Sequence, residues 1–252
     1  MASLDSIVDH CQDFLRIGEI PDYPHALNGL QLQNSGHVTK IAAAVDACLP
    51  VIREATQRGA NLLIVHHGMF WSGAQPIRGA NHEKLKLAFD HDLAIYSAHI
   101  PLDEHPEVGN NAVLCRELGL SNGSPFLPWK GISLGLKFET EISRADLVAK
   151  TENAVGGARV HLCPGGPETV RNVGVCTGGA GPEVFAAAAQ GVDTFITGEG
   201  QHWTYTAAEE LGVNLIYAGH YATETFGVKA LSAHLANKFE VEWEFIDHPT
   251  GL

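Results

Sequence analysis

Two stretches of this chain repeat one another. RGANLLIVHHGMFW, starting at Arg58, aligns with QGVDTFITGEGQHW, starting at Gln190, at an offset of 190 − 58 = 132, matching Gly59 to Gly191, Ile64 to Ile196, Gly68 to Gly200 and Trp71 to Trp203. The same offset sets residues 41–45 on 173–177 and Pro50 on Pro182. Further on the offset becomes 220 − 99 = 121, so that LAIYSAHIPLD faces NLIYAGHYATE, His99 faces His220 and Asp103 faces Glu224. A repeat of this length limits the fold to two related lobes. Within each copy short apolar runs alternate with helical patterns, as in a parallel sheet with right-handed crossovers. The fold class expected is therefore α/β, two related α/β lobes from an internal duplication, with lobes over 1–122 and 123–252 divided in the Gly/Ser/Pro-rich segment 121–128.

Local signals agree with that division. Ser3 caps a helix with apolar positions Leu4, Ile7, Val8, Cys11, Phe14 and Leu15, ended by Gly18 and Pro21, and Ser143 with Leu147 and Val148 echoes it. Strands are expected at 41–45, 62–65 and 93–97, with helices from Pro50 to about Arg58, over 82–89 and over 110–118. A terminal strand is expected within 239–246, where apolar and polar residues alternate.

The run Leu62-Leu63-Ile64-Val65 reads as a strand buried on both faces and stops at His66-His67-Gly68. In open α/β sheets ligands bind where such strands end. A glycine there frees the backbone, so that both imidazoles can converge on one point. The plainer alternative is a pair of half-exposed loop histidines.

The rest of the chain supplies partners for that pair. His220 and Glu224 stand four apart at the start of a helix, on one face, behind an apolar strand. Asp103 holds the equivalent place in the first lobe. Three imidazoles and two carboxylates at strand ends suit two divalent ions, with carboxylates bridging, better than one closed four-ligand zinc site. If the lobes face each other, this metal site lies at their interface.

Composition excludes several classes. With 16 basic against 29 acidic residues, a net charge of −13 and no basic cluster, the chain is not built to grip phosphate backbones unaided, so nucleic acid is not the expected partner. No apolar run approaches the roughly 20 residues of a membrane span, and MASLDSIVDH lacks the features of a signal peptide, so a soluble cytoplasmic protein is expected. The cysteines Cys11, Cys48, Cys115, Cys163 and Cys176 have no Cys-x-x-Cys spacing, which fits a reducing compartment and excludes a thiolate zinc finger.

Five strings resemble one family: NGLQ at 28–31, IVHHG at 64–68, SAHIPLDEHPEVGNN at 97–111, FITGEG at 195–200 and IYAGHYATE at 216–224. Together they look like the Nif-three-like dinuclear metal-centre family, whose bacterial members are also labelled GTP cyclohydrolase I type 2. The resemblance covers nearly the whole chain. It implies a two-lobed α/β fold, a toroidal homohexamer built as a trimer of dimers, and a di-metal site facing the inner cavity. Carried across position by position, it implies ligands at His66, His67, Asp103, His220 and Glu224. The metals can be zinc, manganese, iron, cobalt or nickel. The implied substrate is a nucleotide or related ring whose C–N bond is opened by water.

His99 reads either as a proton carrier or as a histidine bonded to the carboxylate of Asp103, and Glu199 either as a group orienting a ligand or acting as general base, or as a helix-capping carboxylate. Trp71 and Trp203 read as packing residues, His105 and His202 as loop histidines, and Gly178-Gly179-Ala180-Gly181 as a turn, since no Lys-Ser/Thr of a P-loop follows. Two functions remain in view: a metal-dependent hydrolase, and a metal-stabilised ring that binds a partner without turnover.

Overall fold

The computed structural model describes residues 1–251. In chain order the elements are β1 (Ala2–Ser3), α1 (Leu4–Phe14), β2 (Gly29–Leu32), β3 (His37–Val38), β4 (Lys40–Asp46), α2 (Leu49–Gln57), β5 (Leu62–His67), α3 (Ala80–Asp90), β6 (Ala94–Ser97), α4 (Ile100–Glu104) and α5 (Asn110–Glu117). They continue with β7 (Ser124–Trp129), β8 (Ile132–Ser143), α6 (Arg144–Ala154), β9 (His161–Pro164), β10 (Thr169–Val175), α7 (Val184–Ala189), β11 (Thr194–Thr197), α8 (His202–Leu211), β12 (Asn214–Tyr217), α9 (His220–Phe239) and β13 (Glu242–Phe245). Among the described residues no helix is long and apolar enough to cross a membrane.

The chain divides into two compact units, one of Met1–Leu102 with Gly227–His248, the other of Asp103–Phe226 with the tail from Pro249. In the first unit the sheet order is β13-β4-β5-β6-β2, with β13, β4, β5 and β6 parallel and β2 antiparallel at the edge. Its three inner strands are short and buried over 41–45, 62–66 and 94–97, whereas the edge strand β13 alternates acidic and aromatic residues. Ala42 and Ala44, Leu63 and Val65, and Ile95 point to one face, where they meet Val51, Ile52 and Ala55 of α2 and Ala88 of α3. Ser3 caps α1, its Oγ accepting from the Ser6 N–H at 3.4 Å.

The second unit has the order β7-β8-β10-β11-β12-β9. Here β10, β11 and β12 are parallel and β9 is antiparallel at the edge, as β2 is in the first unit. Apart from the two-residue β3, the sequence helix-strand-strand-helix-strand-helix-strand also recurs: α1, β2, β4, α2, β5, α3, β6 in one, α6, β9, β10, α7, β11, α8, β12 in the other. The hairpin β7–β8 extends the second sheet alone. Phe195 and Phe126 meet edge to face at 6.0 Å in the core beneath it.

Several expectations change. The segment 121–128 is not a divider but runs into strand β7, whose Pro125 and Pro128 are tolerated at a sheet edge. The first unit does not stop at 122. Leu114, Cys115 and Leu118 pack with Leu147, Val173 and Ile196 in a core of the second unit, while the terminal strand β13 pairs with β4, Glu242 opposite Lys40. The strand expected within 239–246 is shorter, because α9 persists to Phe239 and the chain turns at Glu240 with φ 53°.

Leu63 is fully buried in the first core. Replacing it with alanine should cost about 2–5 kcal/mol, read as a lower urea midpoint; a loss below about 1 kcal/mol would contradict the packing described.

Candidate metal centre

Each unit carries its donors at or just beyond the carboxyl ends of its parallel strands. In the first unit β5 does not end before the histidines: both His66 and His67 lie within it. Gly68 has no left-handed backbone. Its role is close approach, since a Cβ there would stand 2.2 Å from Gln31 Nε2. Gln31 Oε1 accepts the Met69 N–H at 2.8 Å, while Gln31 Nε2 donates to Leu27 O at 3.0 Å, so the side chain clamps the turn after β5.

The imidazoles of His66, His67 and His99 gather here. Their ligand atoms lie within 4.8 Å of one another, and the His66 ring centroid is 4.8 Å from that of either neighbour. Every one of the three has Nδ1 against an oxygen. His66 Nδ1 is 2.9 Å from Ala98 O, His67 Nδ1 is 2.9 Å from Asp46 Oδ1, and His99 Nδ1 is 2.8 Å from Asp22 Oδ1. An acceptor at that nitrogen selects the tautomer that donates from Nδ1 and leaves the Nε2 lone pair for a metal. The fold supplies these acceptors directly: Asp46 is the register partner of His67 across the parallel pair β4–β5.

Asp22 is tied down from several sides. Asn28 Nδ2 donates to its Oδ2 at 2.7 Å, and the Ile100 N–H to the same oxygen at 2.9 Å, while Asn28 Oδ1 accepts the His99 N–H at 2.7 Å. Burial alone would raise this carboxyl, but hydrogen bonds from His99, Asn28 and the Tyr23 N–H outweigh it and hold the group below the usual carboxylate range. Trp71 stands edge-on to His99 at 4.7 Å and to His67 at 5.8 Å, so its ring walls the histidine cluster.

In the second unit His220 opens α9 and Glu224 lies one turn on, with His220 Nε2 3.0 Å from Glu224 Oε1. His220 Nδ1 meets Glu199 Oε1 at 2.9 Å, the same arrangement as in the first unit. Glu199 lies two residues before Gln201, the N-cap of α8, and thus orients a histidine instead of capping that helix. Glu224 is 3% exposed. Room for its carboxylate comes from Gly178, at φ 72°, where a Cβ would fall 2.4 Å from Glu224 Oε1. Gly198 is equally constrained, with a Cβ there reaching the His220 Cα at 2.7 Å. The glycines read as a plain turn therefore shape this site.

Asp103 lies in the short helix α4 and is held by Asn110 Nδ2 at 2.8 Å and Thr177 Oγ1 at 3.3 Å, both on its Oδ1. The segment Thr177–Gly178 thus borders both carboxylates. Burial pushes the neighbouring Cys176 thiol far up, with the charges of Asp103, Glu183 and Glu224 adding to it, so this cysteine stays an un-ionised core residue.

His99 bonds Asp22, not Asp103 as one sequence reading had it. The carboxylates Asp22 and Asp46 escaped the sequence reading altogether. Neither occupies a position the repeat duplicates as a donor, and an isolated Asp carries no signal of its own. His105 is a structural residue, its Nδ1 accepting the Glu107 and Val108 N–H groups at 3.2 Å.

The donor set fits divalent metals. Imidazoles with committed Nδ1 atoms beside a nearly buried carboxylate are costly to assemble without a cation to satisfy them. A proton does this locally at His220. Burial opposes its charge, but hydrogen bonds to Glu224 and then Glu199 outweigh burial and raise its pKa to about 9.

Known proteins share this architecture. The family model described as Duf34/NIF3 (NGG1p interacting factor 3) matches residues 2–251. A protein of Deinococcus radiodurans named GTP cyclohydrolase 1 type 2 homolog is 42% identical over 98% of this chain and 94% of its own length. The crystal structure of TTHA1606 from Thermus thermophilus superposes with a TM-score of 0.90 at 39% identity, covering 99% of this chain and 100% of that one. Protein ybgI, solved by structural genomics with its function unknown, gives a TM-score of 0.91 at 36% identity over 100% of both chains.

The raised pKa of His220 fixes a pH dependence for the metal-free protein. Its folded pKa lies above the ordinary value of 6.5, so its contribution to stability is complete below 6.5 and is lost as pH rises through about 9. The melting-temperature advantage of metal-free wild type over His220→Gln should shrink across that window; an advantage constant with pH would contradict the pairing with Glu199 and Glu224.

Proposed function

The chain belongs to the Duf34/NIF3 family, and on that premise we propose that it is a dinuclear metal-dependent hydrolase acting on a nucleotide or related C–N ring. Its ions are held by His66 and His67 from the first unit and by Asp103, His220 and Glu224 from the second. The observation that carries this reading is the shared treatment of His66, His67, His99 and His220: each has Nδ1 against an oxygen acceptor at 2.8–2.9 Å. Surface histidines kept for solubility have no need of such partners, whereas metal-binding histidines almost always have them. The repeated strand order and the recurrence of β9 and β2 as antiparallel edges support an origin by internal duplication. The relatives' name, GTP cyclohydrolase 1 type 2 homolog, supports the substrate class.

Two divalent ions at these donors would supply Lewis acidity, making water nucleophilic near neutral pH and polarising the bond it attacks. The chain's own groups do the rest. Asp22 fixes the His99 ring so that Nε2 holds or passes a proton, and Trp71 and Tyr23 cover that ring and limit access of bulk water. Glu199 orients His220 and acts as a positioning residue. The ions are zinc, manganese, iron, cobalt or nickel, the donors being imidazole and carboxylate without thiolate. The protein works in the cytoplasm as a toroidal homohexamer, a trimer of dimers, in keeping with the same resemblance.

Elemental analysis and a nucleotide panel test the reading together. Metal-loaded protein should turn over at least one nucleotide, lose turnover on chelation and regain it with a divalent ion. His66→Ala with Glu224→Ala should lose stoichiometric metal while remaining folded, and Glu199→Gln should weaken metal affinity by about 10–100-fold. Full metal retention by the double variant overturns the site. Stoichiometric metal without turnover of any nucleotide overturns the hydrolase and leaves a metal-stabilised binding ring.

A further inference from the structure

A cavity of about 640 Å³ opens in the second unit beside Gly219 and Glu199, the residue that bonds His220 Nδ1. It lies beyond the carboxyl ends of β11 and β12, where open α/β sheets take ligands, and its volume suits a molecule of nucleotide size. The walls have a definite chemistry. His161 on β9 is the register partner of Tyr217 on β12, so their rings lie side by side on one face, 14° from parallel with centroids 6.2 Å apart. Tyr205 of α8 joins them at 5.6 Å from His161. Tyr217 is held in place by a hydrogen bond with Thr204 Oγ1. Gln201 lines the same space.

Arg159 stands at the rim of this cavity and is exposed. Among the described residues no carboxylate forms an ion pair with it, although the chain as a whole carries 29 acidic residues. In so acidic a protein a guanidinium beside an aromatic shelf is a local attraction for an anion, and its fork suits phosphate or carboxylate. An aromatic shelf and a guanidinium together select a flat, electron-poor ring with a negative group attached.

We infer that this cavity is the subsite that holds a planar heteroaromatic ring bearing an anionic substituent, the ring resting on His161, Tyr205 and Tyr217 and the anion on Arg159. This inference deepens the reading of the metal centre and rests on it for the identity of the ligand as substrate: the cavity shares Glu199 with that centre, so a ring seated here places its reactive edge beside His220. Arg159 and His161 are positioning residues that set KM and specificity.

The test reads binding without metal, and so separates this inference from the hydrolase reading. Chelated wild-type protein would be titrated with guanosine monophosphate, with orotate as the carboxylate-bearing ring, and with inorganic phosphate, by calorimetry. At least one ring anion should bind; guanosine monophosphate alone identifies phosphate as the anion, orotate alone a carboxylate, and both a site open to either. Arg159→Ala should weaken the bound ring anion by at least about tenfold, the loss of one charge-assisted hydrogen bond. His161→Ala should weaken it several-fold, and inorganic phosphate should bind more weakly than the ring anion. Melting temperature and metal content on reloading should match wild type in both variants, since both residues are exposed. Absence of binding by both ring anions, unchanged affinity in Arg159→Ala, or phosphate binding as tight as that of the ring anion overturns the assignment, whether or not the loaded protein turns over a nucleotide.

Discussion

The hydrogen bond from a histidine Nδ1 to a fixed oxygen is the interaction on which the rest of this molecule is arranged. It occurs with Ala98 O, Asp46, Asp22 and Glu199, and it determines both the tautomer and the direction of each ring. Three of these acceptors are delivered by the sheets, while Asp22 comes from the loop between α1 and β2. Asp46 and His67 are register partners in neighbouring parallel strands, Ala98 follows the end of β6, and Glu199 follows β11, next to the strand that leads into His220. A parallel sheet brings the ends of its strands together in one row, so short strand-end segments distant in sequence can fix each other's side chains without a dedicated scaffold.

Space is controlled by residues that lack side chains. Gly68 admits Gln31, Gly178 admits the Glu224 carboxylate, and Gly198 admits the start of α9. Only Gly178 among these has a left-handed backbone, so close approach, more than conformational freedom, explains the others. The NGLQ segment gains a physical meaning in the same way: Asn28 links Asp22 to the backbone at His99, and Gln31 clamps the turn after β5. These contacts connect the edge strand β2 to the histidines.

Much of this was legible in the sequence because parallel strands buried on both faces leave a continuous apolar signature, and LLIV, AIYS and NLIY end where the donors begin. The positions of His66, His67, His220 and Glu224 at strand ends and on the first turn of α9 follow from that pattern. Unit boundaries were not legible. That Glu242 pairs with Lys40, or that α5 shares a core with Val173, depends on contacts between residues far apart in sequence that no local pattern announces. Asp22 and Asp46 were missed for a related reason, since an acidic residue in a loop or at a strand end is usually only solvated. The extension of β5 through both histidines was hidden because imidazole is poor evidence for a strand interior. Likewise Glu199 could not be placed as a partner of His220 until β11 and β12 were neighbours.

In the proposed centre, imidazoles with committed Nδ1 atoms and acidic oxygens hold a pair of divalent ions. Anomalous diffraction from crystals grown with zinc or manganese tests it most directly. Two adjacent peaks should appear, ligated through Nε2 of His66, His67 and His220 and through carboxylate oxygens of Asp103 and Glu224. A single peak, ligation through Nδ1, or peaks confined to other parts of the surface would contradict it.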